Sequence, residues 1–311
     1  MPSARWRIAQ DDSPRVRLAV DPTQLDIFAD SRDTMLRNDV LRALEERDAP
    51  RAGATLHELR AECPHDAAID PFAVLAAALR TETAPLAAHD ALAHELRSLS
   101  GVIEPAALAA FGQPSAAEWM VPLWRALAQR CAHLAFDSSQ ADCHAAPLWL
   151  RAGEWANAAG AVSGIESWRR IPVPLGWMAQ ARHRLNGLDA AWPLLIELAW
   201  LAPARFDATS AWIADPVLNK LRKKFGAEFD GAGGVADLAW FPAWALVDDN
   251  RLAPVLADAQ PSLHELPEQT MRAVGNLLHL ERRGSHHELI NGRKRLRDLH
   301  SGLYAAYMST R

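Results

Sequence analysis

Reactive side chains concentrate near the C-terminus. His279, His286, His287 and His300 place four of the twelve histidines within 22 residues, and Arg282, Arg283, Arg293, Lys294, Arg295 and Arg297 share the stretch. A guanidinium stabilises phosphate charge and an imidazole exchanges a proton near neutral pH, so the cluster holds the raw material for phosphoryl chemistry. The plainer alternative, and the favoured one, is a solvated basic face on the last helix, complementing its C-terminal dipole. His286-His287-Glu288 makes a poor metal site, because neighbours at i and i+1 diverge on a helix. Cys131, His133, Cys143 and His144 are all zinc-type ligands. Cys131 and His133 stand two apart on an expected helix, however, and neither CxxC nor HxxxH is present. Two buried thiols and two ordinary histidines are expected, with no metal. Gly231-Ala-Gly-Gly234 lacks the Lys-Ser/Thr pair and the preceding strand that a phosphate loop needs, so it reads as a flexible connector. No residue is assigned a catalytic role, no cofactor is expected, and the chain reads as a non-enzyme.

The elements that must carry these residues are helical. The 311 residues include 60 Ala and 41 Leu against 22 Val plus Ile and 2 Tyr, which favours helix over sheet. From Ser31, a plausible N-cap, Met35, Leu36, Val40, Leu41 and Leu44 recur at helical steps. A break at Arg47-Asp-Ala-Pro50 leads to a second helix with Ala52, Leu56 and Leu59, stopping at Pro64. The same pattern returns 139 residues later as Ala191, Leu195, Leu198 and Pro203, after a break at Asn186-Gly187. A third copy runs from Gly153-Glu-Trp-Ala-Asn-Ala158 through Val162 and Ile165 to Pro172, and a looser fourth starts at Gly284. Ala158 and Ala191 stand 33 residues apart. Repeats with a period in the thirties mean stacked helix pairs, in which Ala52, Ala158 and Ala191 should sit buried at crossings. Ten to fourteen helices are expected in all.

The junction Gly153-Glu-Trp-Ala-Asn-Ala158, and next to it Asn186-Gly-Leu-Asp-Ala-Ala191, resembles that of tetratricopeptide-type repeats. The aromatic and Gly typical of the first helix of each pair are replaced by Leu175, Met178, Ala179 and Arg182, so the array is a degenerate one. The resemblance implies an all-α solenoid of antiparallel helix pairs: an irregular segment over 1–22, a repeat array over 23–230, and C-terminal hairpins over 231–311 capping the same array. It implies that the first helix of each pair lines a concave groove. Carried onto this sequence, the groove positions are Gln140, Leu150 and Arg151 in one copy and Gln180, His183 and Arg184 in the next. Arg151 and Arg184 would then form a two-pronged clamp for a protein or peptide carboxylate. A second, weaker resemblance joins Arg295 and His300 to the Arg-x4-His motif of HEPN ribonucleases. A nuclease or other enzyme using the C-terminal hairpin is therefore one alternative. A structural subunit of a larger assembly, using Trp-rich faces, is another. All twelve Trp except Trp6 fall between 119 and 244, and core filling is the favoured reading of them.

Charge and hydropathy narrow the partners. A net charge of −5 gives no global reason to seek nucleic acid or anionic membrane. The longest strongly apolar stretch, Leu238 to Val247, has a Pro inside it and is too short to span a bilayer, and no signal-like core follows Met1. A soluble, cytoplasmic protein with no membrane partner and no nucleic-acid partner is expected.

Overall fold

The computed structural model describes residues 22–80, 83–260, 264–284 and 286–311, with side chains from residue 32 onward. Among these residues every regular element is helical and there is no strand. No helix of the described residues is long and apolar enough to cross a membrane. The segment expected to be irregular lies outside them, apart from Pro22.

The chain forms two compact units, one of residues up to Arg80 with Ala106–Gly112, the other of Thr81–Pro105 with Gln113–Arg311. Both sides of the glycine stretch at 231–234 thus belong to one unit. In the first unit α1 (Pro22–Glu45) packs on α2 (Ala49–Glu62), and α3 (Ile69–Ala78) closes on both. The first helix begins at Pro22 rather than after Ser31, since proline's fixed φ suits the first helical position. The turn between α1 and α2 falls where expected: Arg47 takes φ 55°, and the Asp48 carboxylate accepts the Arg51 N–H at 3.0 Å. Val40, Ala43 and Leu44 meet Ala52, Leu56 and Leu59 in its core.

The second unit begins with α4 (His89–Ser98) and a π-turn at Leu99–Ile103; the next helix, α5 (Glu104–Phe111), belongs to the first unit from Ala106 onward. There follow α6 (Ser115–Cys131), α7 (Ala145–Arg151), α8 (Trp155–Ser163), α9 (Pro172–Asn186), α10 (Leu188–Leu201), α11 (Pro203–Ile213) and α12 (Pro216–Glu228). After the loop come α13 (Phe241–Asp248), α14 (Ala253–Leu256), α15 (Leu266–Arg283), α16 (His286–Leu299) and α17 (Ser301–Ser309). Helices outnumber the expectation because prolines start them as well as stop them. Pro stands at the first or second position of α9, α11, α12, α13, α14 and α15, as Pro203 does in α11 and Pro216 in α12.

Small and large residues interdigitate in the core. Ala158 and Ala191 are fully buried where α8 and α10 pack on α9, as Ala52 is on α2. Gly176 of α9 lies so close to α11 that a methyl group there would stand 2.9 Å from Thr209 Oγ1. Seven tryptophans, at 119, 124, 149, 177, 192, 200 and 244, are buried. Helices α10 to α13 converge on Phe241, whose ring lies 5.4 Å from Phe206, 5.6 Å from Phe225 and 6.3 Å from Trp192. Two carboxylates are also buried, Glu197 of α10 and Glu268 of α15. Both Glu197 oxygens accept from Arg169 at 2.6 Å, and Oε1 also accepts the Gln260 N–H at 2.6 Å.

Candidate functional site

Three helical hairpins end at neighbouring tips. The α7–α8 turn closes on Gly153 at φ 73°, the α9–α10 turn on Gly187 at φ 82°, and the α11–α12 turn on Ala214 at φ 53°. Glycine enters this left-handed region without the Cβ clash that opposes other residues. Helix α9 packs against α7, α8, α10 and α11, which sets its C-terminal tip between the other two.

Arg184, in the last turn of α9, occupies that position. Its guanidinium carbon lies 5.7 Å from the centre of the Trp155 ring at the start of α8, and 5.3 Å from that of Trp212 at the end of α11. The two indoles meet edge to face at 6.2 Å. Trp212 is 40% exposed, an unusual position for so large an apolar ring, and Arg184 is exposed beside it. Among the described residues Arg184 has no carboxylate partner. Its cation lies within reach of both rings, while the side chain stays exposed.

The adjacent His183 is turned inward. Its Nε2 donates to Asp215 Oδ2 at 3.2 Å, and Asp215 Oδ1 accepts from the Val217 and Leu218 N–H groups at 2.8 and 3.2 Å, capping α12. Burial opposes ionisation of Asp215, but the hydrogen bonds from His183, Leu218 and Val217 outweigh it and hold the carboxyl below the usual range. His183 Nδ1 is buried without a partner. His183 therefore ties two tips together instead of lining a groove.

The other expected groove residues are dispersed. Arg151 lies 4.6 Å over Trp124 and donates from Nη1 to Ser100 Oγ at 3.1 Å. The two guanidinia thus rest on different rings, Arg151 on Trp124 and Arg184 on Trp155 and Trp212. Gln180 is half-buried on α9. Leu150 is buried in the core. Gln140 lies outside α7, which starts at Ala145 because His144 Nδ1 accepts the Ala146 N–H at 3.2 Å and caps it. Sequence reasoning missed Trp155, Trp212 and Asp215. Asp215-Pro216 is a readable cap signal, whereas contact across 57 residues between the two indoles is not.

The remaining candidates have structural work. Among the described residues no three His, Cys, Asp or Glu side chains group as metal ligands do. Within the Cys/His quartet, His133 is exposed while the His144 ring stacks on Trp177 with 4° between planes. Burial lowers the His144 pKa to about 4. The N–H groups of Gly233 and Gly234 donate to Asp237 Oδ2 at 2.7 and 3.3 Å, so the loop's own carboxylate fills its anion-facing side. His300 packs 4.6 Å from Trp240 and 5.8 Å from Phe229. Its Nδ1 accepts the Leu303 N–H at 3.0 Å as the cap of α17. Arg295 opens instead on a cavity beside Gln269 and Asn276 of α15, and His286 and His287 are exposed at the start of α16. Comparison of the chain with family models, curated proteins and solved structures gives no match.

Proposed function

We propose that this chain is a non-catalytic helical-repeat adaptor of the cytoplasm that captures a protein or peptide through a carboxylate, with Arg184 as the anchor. The observation that carries the reading is the exposed guanidinium beside Trp155 and Trp212, with no acidic partner among the described residues. Trp and Arg dominate the energetics of protein interfaces, and a guanidinium already oriented by ring faces loses less entropy when it grips a carboxylate. Support for stacked helix pairs comes from α9, which touches the helix pair before it and the helices after it. Those are the neighbour relations of a tetratricopeptide-like solenoid. An enzymatic reading would need His300 and Arg295 at one substrate, and His300 is instead packed under Trp240 with Nδ1 engaged in a cap.

The test is a peptide library presented twice, once with free C-terminal and side-chain carboxylates and once with these amidated. The wild-type chain should enrich only the acid forms. Arg184→Glu should abolish that enrichment with the melting temperature nearly unchanged, because the side chain is exposed. Equal capture of acids and amides, or equal capture by the variant, would refute the proposal.

A further inference from the structure

Seven asparagines stand in the chain, and two of them, Asn186 and Asn291, are followed by glycine. An asparagine before glycine is able to modify itself. The backbone nitrogen of the glycine attacks the side-chain carboxamide carbon, a base takes the nitrogen's proton, and the carbon expels ammonia. Water then opens the resulting cyclic imide at either carbonyl. One opening gives aspartate. The other gives isoaspartate, in which the main chain runs through the side-chain carbonyl. The sum is amide plus water to carboxylate plus ammonium, with no change of oxidation state. A bulkier neighbour shields its own nitrogen with its side chain, as Lys220 does after Asn219, Arg251 after Asn250 and Leu277 after Asn276.

The two asparagines are both exposed and both precede glycine, but their backbones differ. Asn291 is the sixth residue of α16, so turning its peptide towards the side chain must break the helix from inside. Gly292 is also pressed on α15, where a methyl group in its place would stand 2.7 Å from Leu277 Cδ2. Asn186 is the last residue of α9, and the chain leaves the helix at Gly187 with φ 82° and ψ −177°. Nothing lies within 4 Å of the place a Cβ of Gly187 would take. The attacking nitrogen is held by the hydrogen bond from the Gly187 N–H to the His183 carbonyl, at 2.9 Å. A terminal bond of this kind opens far more often than one inside a helix. The contacts of Arg184 with its two rings, and the His183–Asp215 bond, lie on side chains and need not break while this single peptide turns.

We infer that Asn186 is a site of spontaneous deamidation, which places a negative charge two residues from Arg184, while α16 holds Asn291 unreactive. Either product alters the tip. Aspartate adds a carboxylate within a Debye length of the Arg184 guanidinium, and isoaspartate also lengthens the α9–α10 connection by a methylene. On the reading of Arg184 as the anchor, on which this consequence rests, capture weakens as the protein ages.

The test is to hold the full chain folded at mildly alkaline pH, digest samples over time, and follow by mass spectrometry the exchange of amide for acid at each asparagine. Asn186 should convert at least about tenfold faster than Asn291 in the folded chain, because conversion tracks how often each backbone opens. In urea the two should convert at similar rates. Asn186→Gln should remove the fast conversion, since the longer side chain closes its ring slowly. Asn186→Asp should weaken capture of free-acid peptides by about twofold, the effect of one unit charge at such range in water. Equal rates at the two asparagines in the folded chain, or an unchanged Asn186 over a time in which the urea-unfolded chain converts, overturns the inference. Mass reads the modification whether or not Arg184 binds a carboxylate, so a failed capture experiment leaves it standing. If the wild type captures acids and Asn186→Asp captures them equally well, the link to the anchor is overturned.

Discussion

Removing Arg169 should cost more than neutralising its partner, and the asymmetry follows from burial. The Glu197 side chain is 4% exposed and that of Arg169 is 27% exposed. In Arg169→Ala the carboxylate keeps only the Gln260 N–H, at 2.6 Å, and loses both charged donors. A buried charge stripped of its partner destabilises by about 3–5 kcal/mol, a large share of the roughly 5–15 kcal/mol that holds a domain together. In Glu197→Gln the side-chain oxygen still accepts from Gln260, and Arg169 can turn its guanidinium to water. The amide nitrogen that replaces Oε2 cannot accept from Arg169 Nε, so one charged hydrogen bond is lost and the other weakened, about 1.5–3 kcal/mol. Urea unfolding followed by circular dichroism at constant m-value measures both. The reasoning is refuted if Arg169→Ala shifts stability by less than ~0.5 kcal/mol, or if Glu197→Gln proves the more damaging change.

His144 should make the protein acid-sensitive. Its pKa is near 4 when folded and about 6.5 when unfolded, so the unfolded state alone takes up a proton between those values. Stability should fall by on the order of 3 kcal/mol as pH drops through that window and then level off, and His144→Asn, which keeps a capping oxygen, should flatten the stability–pH curve there. Gly176→Ala should lower the melting temperature, because overpacking against the stiff Thr209 costs about 1–3 kcal/mol and outweighs the ~1 kcal/mol gained in helix propensity; a rise would show that α9 and α11 are free to separate. Asp215→Ala should cost about 1–2 kcal/mol by unfolding in urea, with Asp215→Asn recovering most of it. Because the Asp215 carboxyl is held low, its ionic share of that stability is complete above about pH 4 and fades as pH falls through the lower folded value.

What could be read in the sequence was local. The breaks at Asn186-Gly187, Gly153, Gly284 and Arg47-Asp48 depend on left-handed glycines and caps written into a few adjacent residues, and they stand where expected. The buried positions of Ala52, Ala158 and Ala191 follow from helical spacing, which any antiparallel hairpin would satisfy. Ser31 misled because it imitates a cap inside a helix already begun at Pro22. Gln140 was misplaced because a histidine, His144, does the capping of α7, a role its residue type does not advertise. The Arg184 site needed rings 29 residues before it and 28 after it, and such pairings come from how hairpins stack.

The meeting of Trp155 with Trp212 has a consequence for motion. In a stack of hairpins where each touches only the next, one can fray while its second neighbour stays closed. Here the first and third tips touch directly, and Arg184 and His183 of the middle one reach both sides. Opening the α9–α10 turn must break contacts with α8, α11 and α12 together. Amide hydrogens flanking the three tips should therefore exchange with deuterium at one common rate, as a single opening event spanning residues 153–217, instead of in three graded steps.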